Sequence, residues 1–583
     1  TNNVIRNLEI ACGVNQTTSS SSSFGIILCS NNTSISTTSN SDDCDNNSFI
    51  ANRIIRCRYG IVTRGTTTNL TQNTVVTDNI IGPTAFGADQ IGKVGIFMQA
   101  DQGAIVSRNT VQFVGKLFSE TNTTGADRVG IGIGQESWSM SPGTLTSNTY
   151  TVTANVIHDI VEERTFSACG LILGTTGGGS ATNNVVANNF IYNVRSNGTA
   201  GDQTVGLGIS GGHSDKVVYN SIYLAGDVDP GSAGASTNFG SGIRIANASG
   251  STHQNLLLQN NSVYMDLSSS STATNRYYAI SGNSNSYSFG TGGENYNNYY
   301  INAANTQTQT GGLGTTSGNA LTTQFATLAN WQTAYTTPQD ANSIQANPNH
   351  ISATDLHIPV GSPNSGAGQA VAGILFDIDA QLRDATVDIG GDDPTGVAPP
   401  ANDMSATAFL NPVIGENKSS VTPFSPSATF VNIGSNAQSG VTVRFRIVNS
   451  VATEVYNNTQ TIASIAGSGA STNVTFSSVT LPADTYTMFA KAELAGDGNT
   501  SNDEISGNFT VVPPLAGTYT VGSGGNFTSL TNNGGIFEAL NLSGASSNVT
   551  INVISDLSGE TGTHALNELP VGVNVLIQPS GAP

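Results

Sequence analysis

The sequence predicts an all-β chain: a parallel β-helix over residues 1–393, a linker at 394–401, an immunoglobulin-like sandwich at 402–513, and the cap and first coils of a further β-helix at 514–583. Three observations carry that prediction. Val, Ile and Leu alternate with small polar residues in short runs bounded by Asn and Gly, the period of a strand with one buried face. Two short phrases recur through the first three hundred residues at irregular intervals, the mark of a stacked repeat. Charged residues are only 10% of the chain while Gly accounts for 66 of 583, a composition that fits strands and tight turns better than helices.

The first phrase, apolar-x-x-Asn-x-apolar, reads FIANRII at 49–55, VVTDNII at 75–81, TVTANVI at 151–157, VVANNFI at 185–191 and LLQNNSV at 257–263. The second, Gly-apolar-x-apolar, reads GIILC at 25–29, GIFMQ at 95–99 and GIRIA at 242–246. The repeat distance runs from 27 residues between Asn52 and Asn79 to 46 between Asn109 and Asn155. Constant strand phrases with variable loops between them fit a parallel β-helix, because an insertion leaves through a turn without disturbing the stack. With coils ~4.8 Å apart, Asn7, Asn52, Asn79, Asn109, Asn155, Asn189, Asn220, Asn261 and Asn298 are expected to form one column. Each amide would donate to one neighbouring coil and accept from the other, a structural role that satisfies polar groups at a buried turn.

These phrases resemble the right-handed parallel β-helix proteins of the pectate-lyase-like superfamily, over about 390 residues. NSIQANPNH at 342–350, DLHIPVGSPNSGAG at 355–368 and FDIDAQLRDATVDIGGDD at 376–393 are similar to the closing segment of many secreted bacterial β-helix domains. Ala380 stands where that ending usually has Gly, and Gly391-Asp392 where it usually has Ala-Asp. The resemblance implies secretion and a bacterial cell-surface location.

After Pro394, Pro399 and Pro400 come about seven short alternating segments, among them SATFVNI, VTVRFRIV, STNVTFSSV and DTYTMFAKAEL, the count and spacing of an immunoglobulin-like sandwich. NDMSATAF, ATFVNIGS, TYTMFAKAEL and GDGNTSNDE resemble CARDB, a bacterial domain associated with cell adhesion. Asp497, Asn499, Asn502 and Asp503 offer several oxygens to one calcium ion. The EF-hand spacing is absent, and a polar hairpin turn is the competing reading of the same residues. Residues 517–556 resemble the start of another secreted β-helix, so the chain is expected to be part of a longer tandem array.

Cys12 and Cys57 each lie five residues after a column asparagine, so a disulfide between neighbouring coils is geometrically allowed, as is a buried pair of free thiols. Cys29 and Cys44 flank a Ser/Thr/Asn excursion and would staple its base. A secreted setting favours both bridges.

The net charge of −20 and the lack of a basic stripe exclude nucleic acid as a partner, and no apolar run reaches the ~20 residues that cross a bilayer. The β-helix hosts polysaccharide lyases and glycosidases, which need clustered carboxylates. His213 and Arg244 resemble fragments of polygalacturonase motifs, but the acidic motifs of that family are missing and Ala246 stands where it has Lys. Glu162, Glu163 and Arg164 read as a solvated charge cluster; His158 and Asp159, adjacent on a strand, should face opposite ways. Tyr277, Tyr278, Tyr287, Tyr296, Tyr299 and Tyr300 would hold sugar rings or, more simply, stack within the last coils.

No complete catalytic constellation emerges. The expected function is a non-enzymatic surface adhesin or stalk whose partners are other surface proteins, glycans or copies of itself, with no cofactor beyond calcium. An enzyme on acidic glycans is the alternative, and a viral tail-spike-like fibre the third reading.

Overall fold

The computed structural model describes residues 2–13, 23–28, 44–66, 69–120, 125–143, 147–175, 181–198, 202–230, 238–245, 253–284, 289–316, 319–335, 339–569 and 572–580. Two compact units divide the chain, Thr1–Val397 and Ala398–Pro583.

The first unit is three long parallel sheets, each taking one strand from every coil. One sheet runs from Val4–Arg6 through Thr151–Thr153 to Phe289–Asn295, the second from Glu9–Ala11 through Val156–Glu162 to Asn298–Ile301. The third starts at Phe24–Leu28 and ends on Thr308–Thr316, which Leu321–Phe325 closes in antiparallel fashion. Among the described residues, nine strands in each of the first two sheets mean nine coils, and sequence order equals stacking order. This is a parallel β-helix.

Its interior is built from the alternating residues. Ile26, Ile61, Ile96, Ile131, Leu171, Leu207, Ile243 and Ile280 are in register from coil to coil, and all are buried. The Gly that opens the second phrase has a steric cause. A Cβ on Gly95 would sit 2.3 Å from Val111 Cγ1 and 2.7 Å from the Gly130 carbonyl oxygen, so the coils pack at this distance only without a side chain there.

The asparagine phrase occupies the tight turn between the first and second sheets. Asn52, Asn79, Asn109, Asn155, Asn189, Asn220 and Asn261 hold successive rungs and are at most 1% exposed. In each, the backbone N–H and the Nδ2 amide both donate to Oδ1 of the next coil's asparagine, as from Asn109 to Asn155 at 3.0 and 3.0 Å. The second amide hydrogen reaches back to a carbonyl of the preceding coil, as from Asn155 Nδ2 to Val106 O at 2.9 Å.

Both ends of the expected column are corrected by one residue. Leu8, not Asn7, sends its N–H to Asn52 Oδ1, and Asn297, not Asn298, accepts from Asn261. Asn7 takes the left-handed conformation at φ 57°, as do Ala51, Asp78, Arg108, Ala154, Asn188, Tyr219, Asn260 and Tyr296, each just before the rung residue. Asn7 is thus the bend of its turn. Asn298 has passed the turn and begins a strand, its Nδ2 donating to Asn364 Oδ1 at 2.6 Å and to Ala346 O at 2.7 Å.

The segment 342–393 folds back over the outside of this turn. Tyr219 Oη donates to Gln369 O at 2.9 Å, and the Arg383 guanidinium lies 4.2 Å from the Tyr219 ring centre while donating to Asn188 Oδ1 at 2.9 Å. Of the expected linker, Val397 still pairs with Leu382, while Pro400 and Ala401 accept hydrogen bonds from Ser435 and Asn436.

In the second unit a three-stranded sheet (Met404–Asn411, Ser427–Asn432, Ala470–Thr475) and a five-stranded sheet (Asn417–Ser419, Gln438–Val448, Glu454–Ile465, Asp484–Glu493, Glu504–Val512) enclose one apolar core that includes Phe430, Phe445, Met488 and Phe509. A parallel three-stranded sheet follows, Leu515–Val521, Ala545–Val553 and Val575–Pro579, with the helix Ile536–Ser543 between its first two strands.

Asn155→Ala removes the acceptor of two buried N–H groups on Asn109 and is expected to cost roughly 2–4 kcal/mol in chemical unfolding. Asn7→Ala, off the column but at a left-handed bend, should cost roughly 1 kcal/mol, up to about 2. Equal losses would show that the column carries no special stability.

Candidate functional site

The pair that favoured an enzyme does not come together. Arg244 lies opposite Gly208, five residues before His213 on the same strand, roughly 16 Å away along an extended chain. Its side chain is fully buried on the outer face of the third sheet, with the Phe239 ring 5.4 Å off and Met140 Sδ at 3.7 Å. His213, at the strand's end, has its Nε2 3.3 Å from Asn255 Nδ2.

Two charge readings are corrected. Glu162 is fully buried, not solvated, and its carboxylate meets Arg128, also buried, at 3.0 Å. Glu163 pairs with Arg195 at 2.5 Å, and the Arg164 guanidinium lies 4.6 Å from the Phe118 ring centre. His158 and Asp159 do share a face: Nδ1 and Oδ2 are 2.6 Å apart because Asp159 takes φ 55°, which breaks the alternation of the strand.

The tyrosines leave little ring face for a sugar. Tyr277, Tyr278 and Tyr299 are fully buried, and Tyr287 lies outside the described residues. Tyr300 belongs to an outer stack in which Tyr223 and Tyr264 lie 4.3 Å apart and Tyr264 and Tyr300 4.8 Å apart. The Tyr223 and Tyr264 rings lie face to face at 19°, and Tyr300 is tilted 46° against Tyr264.

At the candidate calcium site, Asp497 accepts the N–H of Met404 and of Asn499, both at 2.8 Å. Asn499 turns inward on its own loop, accepting from Ser501. Asp403, which the sequence reading missed, joins the cluster instead: Asn502 Nδ2 donates to Asp403 Oδ1 at 2.9 Å. Burial and the neighbouring charges push both Asp403 and Asp503 above the ordinary carboxylate range. Asp503 is 7% exposed, and both its Oδ1 and Asn502 Oδ1 are shielded from solvent without a hydrogen-bond partner.

Cys12 and Cys57 stand side by side as free thiols. Cys57 is buried and its thiol is pushed far up; the hydrogen bond from Cys57 brings Cys12 down to about 7. No disulfide joins the two, and the Cys12 thiol donates to Phe24 O at 3.1 Å. Cys44 is also a free thiol; Cys29 lies outside the described residues, and with it the Cys29–Cys44 pairing.

One buried acid pair had no signal in the sequence. Asp340 and Glu294, each 1% exposed, close the far end of the asparagine column, where Asn297 Nδ2 approaches Asp340 Oδ1 at 3.4 Å. Trp331 Nε1 donates to Asp340 Oδ2 at 2.9 Å and to Glu294 Oε1 at 3.2 Å, and Tyr299 Oη to Glu294 Oε1 at 3.1 Å. Burial and the Asp340 charge raise Glu294 well above the usual range, so Glu294 keeps the proton that the two share.

No protein-family model matches the chain, and no curated protein does. Among solved structures, a CARDB domain from Pyrococcus furiosus, solved in complex with di-metal ions, is 16% identical, with 20% of this chain and 95% of that chain covered and a TM-score of 0.16. A domain of a candidate cell surface protein from Methanosarcina acetivorans is 24% identical, with 20% and 94% covered and a TM-score of 0.16. No helix among the described residues is long and apolar enough to cross a membrane.

Two predictions follow from these groups. Because Glu294 binds its proton more tightly folded than unfolded, stability is expected to fall as pH rises above the unfolded value of 4.5. Glu294→Gln, which keeps the shape and the donor, should flatten that loss in melting curves taken at acid and alkaline pH. Cys12 should alkylate with a midpoint near its value of about 7 while Cys57 stays protected in peptide mapping of the native protein; equal reactivity would refute the arrangement.

Proposed function

We propose that this chain is a secreted, non-enzymatic stalk or adhesin of the bacterial cell surface, a β-helix of the pectate-lyase-like superfamily carrying a CARDB-like sandwich. The observation that carries the reading is the buried asparagine column, in which each rung from Asn52 to Asn261 bonds to the coil on either side. The residues common to every coil are committed to holding coils together, while chain length varies only where loops leave the turns. A rod of this kind is a spacer, and its loops meet other surface proteins, glycans or copies of the chain, with avidity from many weak contacts.

The separation of His213 from Arg244 favours this reading over cleavage of acidic glycans, and a charge of −20 would repel such substrates. Incubation with polygalacturonate and other acidic glycans should release neither reducing ends nor unsaturated products. Turnover that His213→Ala abolishes would replace the stalk with a lyase.

In the sandwich, the same proposal includes a calcium ion held by Asp403, Asp497, Asn502 and Asp503. Its support is the pair of shielded acceptors, Asn502 Oδ1 and Asp503 Oδ1, facing a shortage of donors among gathered carboxylates. All-oxygen donor sets suit calcium. Added Ca²⁺ should raise the melting temperature of the second unit, chelation should reverse the rise, and Asp497→Asn should abolish it; a melting temperature indifferent to Ca²⁺ would remove the ion from the proposal.

A further inference from the structure

The closing segment of the first unit gathers a second, chemically different donor set. His357, Asp379 and Asp392 come from three separate stretches, yet their ligand atoms all lie within 4.8 Å of one another. Backbone contacts fix the stretches: Ile358 N–H donates to Asp392 Oδ2 at 2.8 Å, Ile378 N–H to Gly391 O at 2.8 Å, and the N–H groups of Asp379 and Gln381 to Asp377 Oδ1 at 2.9 and 2.8 Å. The His357 ring is set edge-on to the buried Phe190 ring at 5.0 Å, which anchors it to the coil beneath.

The imidazole is held in one orientation. Its Nδ1 is hydrogen-bonded to Asp355 Oδ1, whose carboxylate also accepts the His357 backbone N–H at 3.2 Å. A carboxylate on Nδ1 makes Nε2 the free ring nitrogen and is the usual partner of a metal-bound histidine. Nε2 is shielded from solvent and has no hydrogen bond, although Asp379 Oδ2 lies only 3.0 Å away. Asp392 is 6% exposed. Asp377, 3% exposed, adds a carboxylate whose Oδ2 is also shielded and unpartnered.

A close nitrogen–oxygen approach without hydrogen-bond alignment, inside a group of carboxylates, is what a cation between them would relieve. The donors of a tetrahedral zinc site lie roughly 3.3–3.5 Å apart; Nε2 and Asp379 Oδ2, at 3.0 Å, are near that spacing, and Asp392 offers an oxygen within 4.8 Å of both. One imidazole nitrogen with two carboxylate oxygens suits a transition metal such as zinc, whereas calcium takes oxygens alone.

We propose that His357 Nε2, Asp379 and Asp392 bind a divalent transition-metal ion of the zinc type, with Asp355 as the positioning residue behind the histidine. The ion joins residues 355–358, 377–381 and 391–393, and so clamps the closing segment. Coordination left open by the three side chains falls to water.

The test is Zn²⁺ titration of the full chain by calorimetry, paired with melting curves and circular dichroism. Wild-type protein should bind Zn²⁺ saturably and melt at higher temperature with it. Asp379→Asn and His357→Gln should lose both effects while keeping the wild-type spectrum without metal, and Asp355→Asn should weaken binding about 10- to 100-fold. Asp89→Asn, at a surface ion pair away from the closing segment, should leave Zn²⁺ binding unchanged. Absence of saturable binding would overturn the proposal and leave His357 as an imidazolium in an ion pair. So would binding that survives both ligand substitutions, since the ion would then sit elsewhere.

Discussion

The first unit depends on satisfying polar groups at a turn that is both tight and buried. Among the described residues the backbone passes nine times through the bend between the first and second sheets, and the rung asparagines Asn52 to Asn261 are buried there. An unsatisfied amide there costs about 1–3 kcal/mol, and the same geometry repeats in every coil. Asparagine answers this with one side chain, since its oxygen takes two N–H groups from one neighbour while its amide reaches the coils on both sides. Because the solution uses only neighbouring coils, it is indifferent to how far away along the chain those coils lie. The variable loops are thus a consequence of the column.

A repeating solution must also be terminated. At the last coil Asn297 has no further asparagine to meet, and its backbone N–H turns to Ser343 Oγ at 2.8 Å. Its amide faces Asp340, which in turn needs donors from Trp331 and Ser343 and a proton shared with Glu294. The strongly raised acid is therefore the cost of ending the ladder in a dry place. The closing segment then covers the outside of the same turn through Tyr219, Asn188 and Arg383.

The period-two alternation and the two phrases made the all-β, coiled architecture legible, because each phrase has a local steric or hydrogen-bonding reason. Register at the ends was not. Asn297 and Asn298 are both asparagines, and only the left-handed bend at Tyr296 decides which of them holds the rung. The same backbone feature hid the His158–Asp159 contact, since alternation fails wherever φ turns positive. At Ala380 it works the other way: the residue takes φ 60°, which explains why similar endings carry Gly there. Buried pairs such as Arg128–Glu162 and Glu294–Asp340 join residues 34 and 46 positions apart in sequence, with no phrase linking them.

The same physics bears on function. A catalytic groove on a β-helix needs acids and bases from adjacent coils on one exposed face, at the same place along their strands. Here outer positions of adjacent coils are occupied by the ring ladder Tyr223, Tyr264 and Tyr300, and by Arg244, which is covered from solvent. Ring faces turned to neighbouring coils hold those coils together. Shielded carboxylate oxygens without a hydrogen-bond partner occur on the coils at Asp101 and Asp215, at Asp503 in the sandwich, and in the closing segment at Asp377. The closing-segment group ties together stretches of chain that are distant in sequence, so an ion held there would restrain their relative movement.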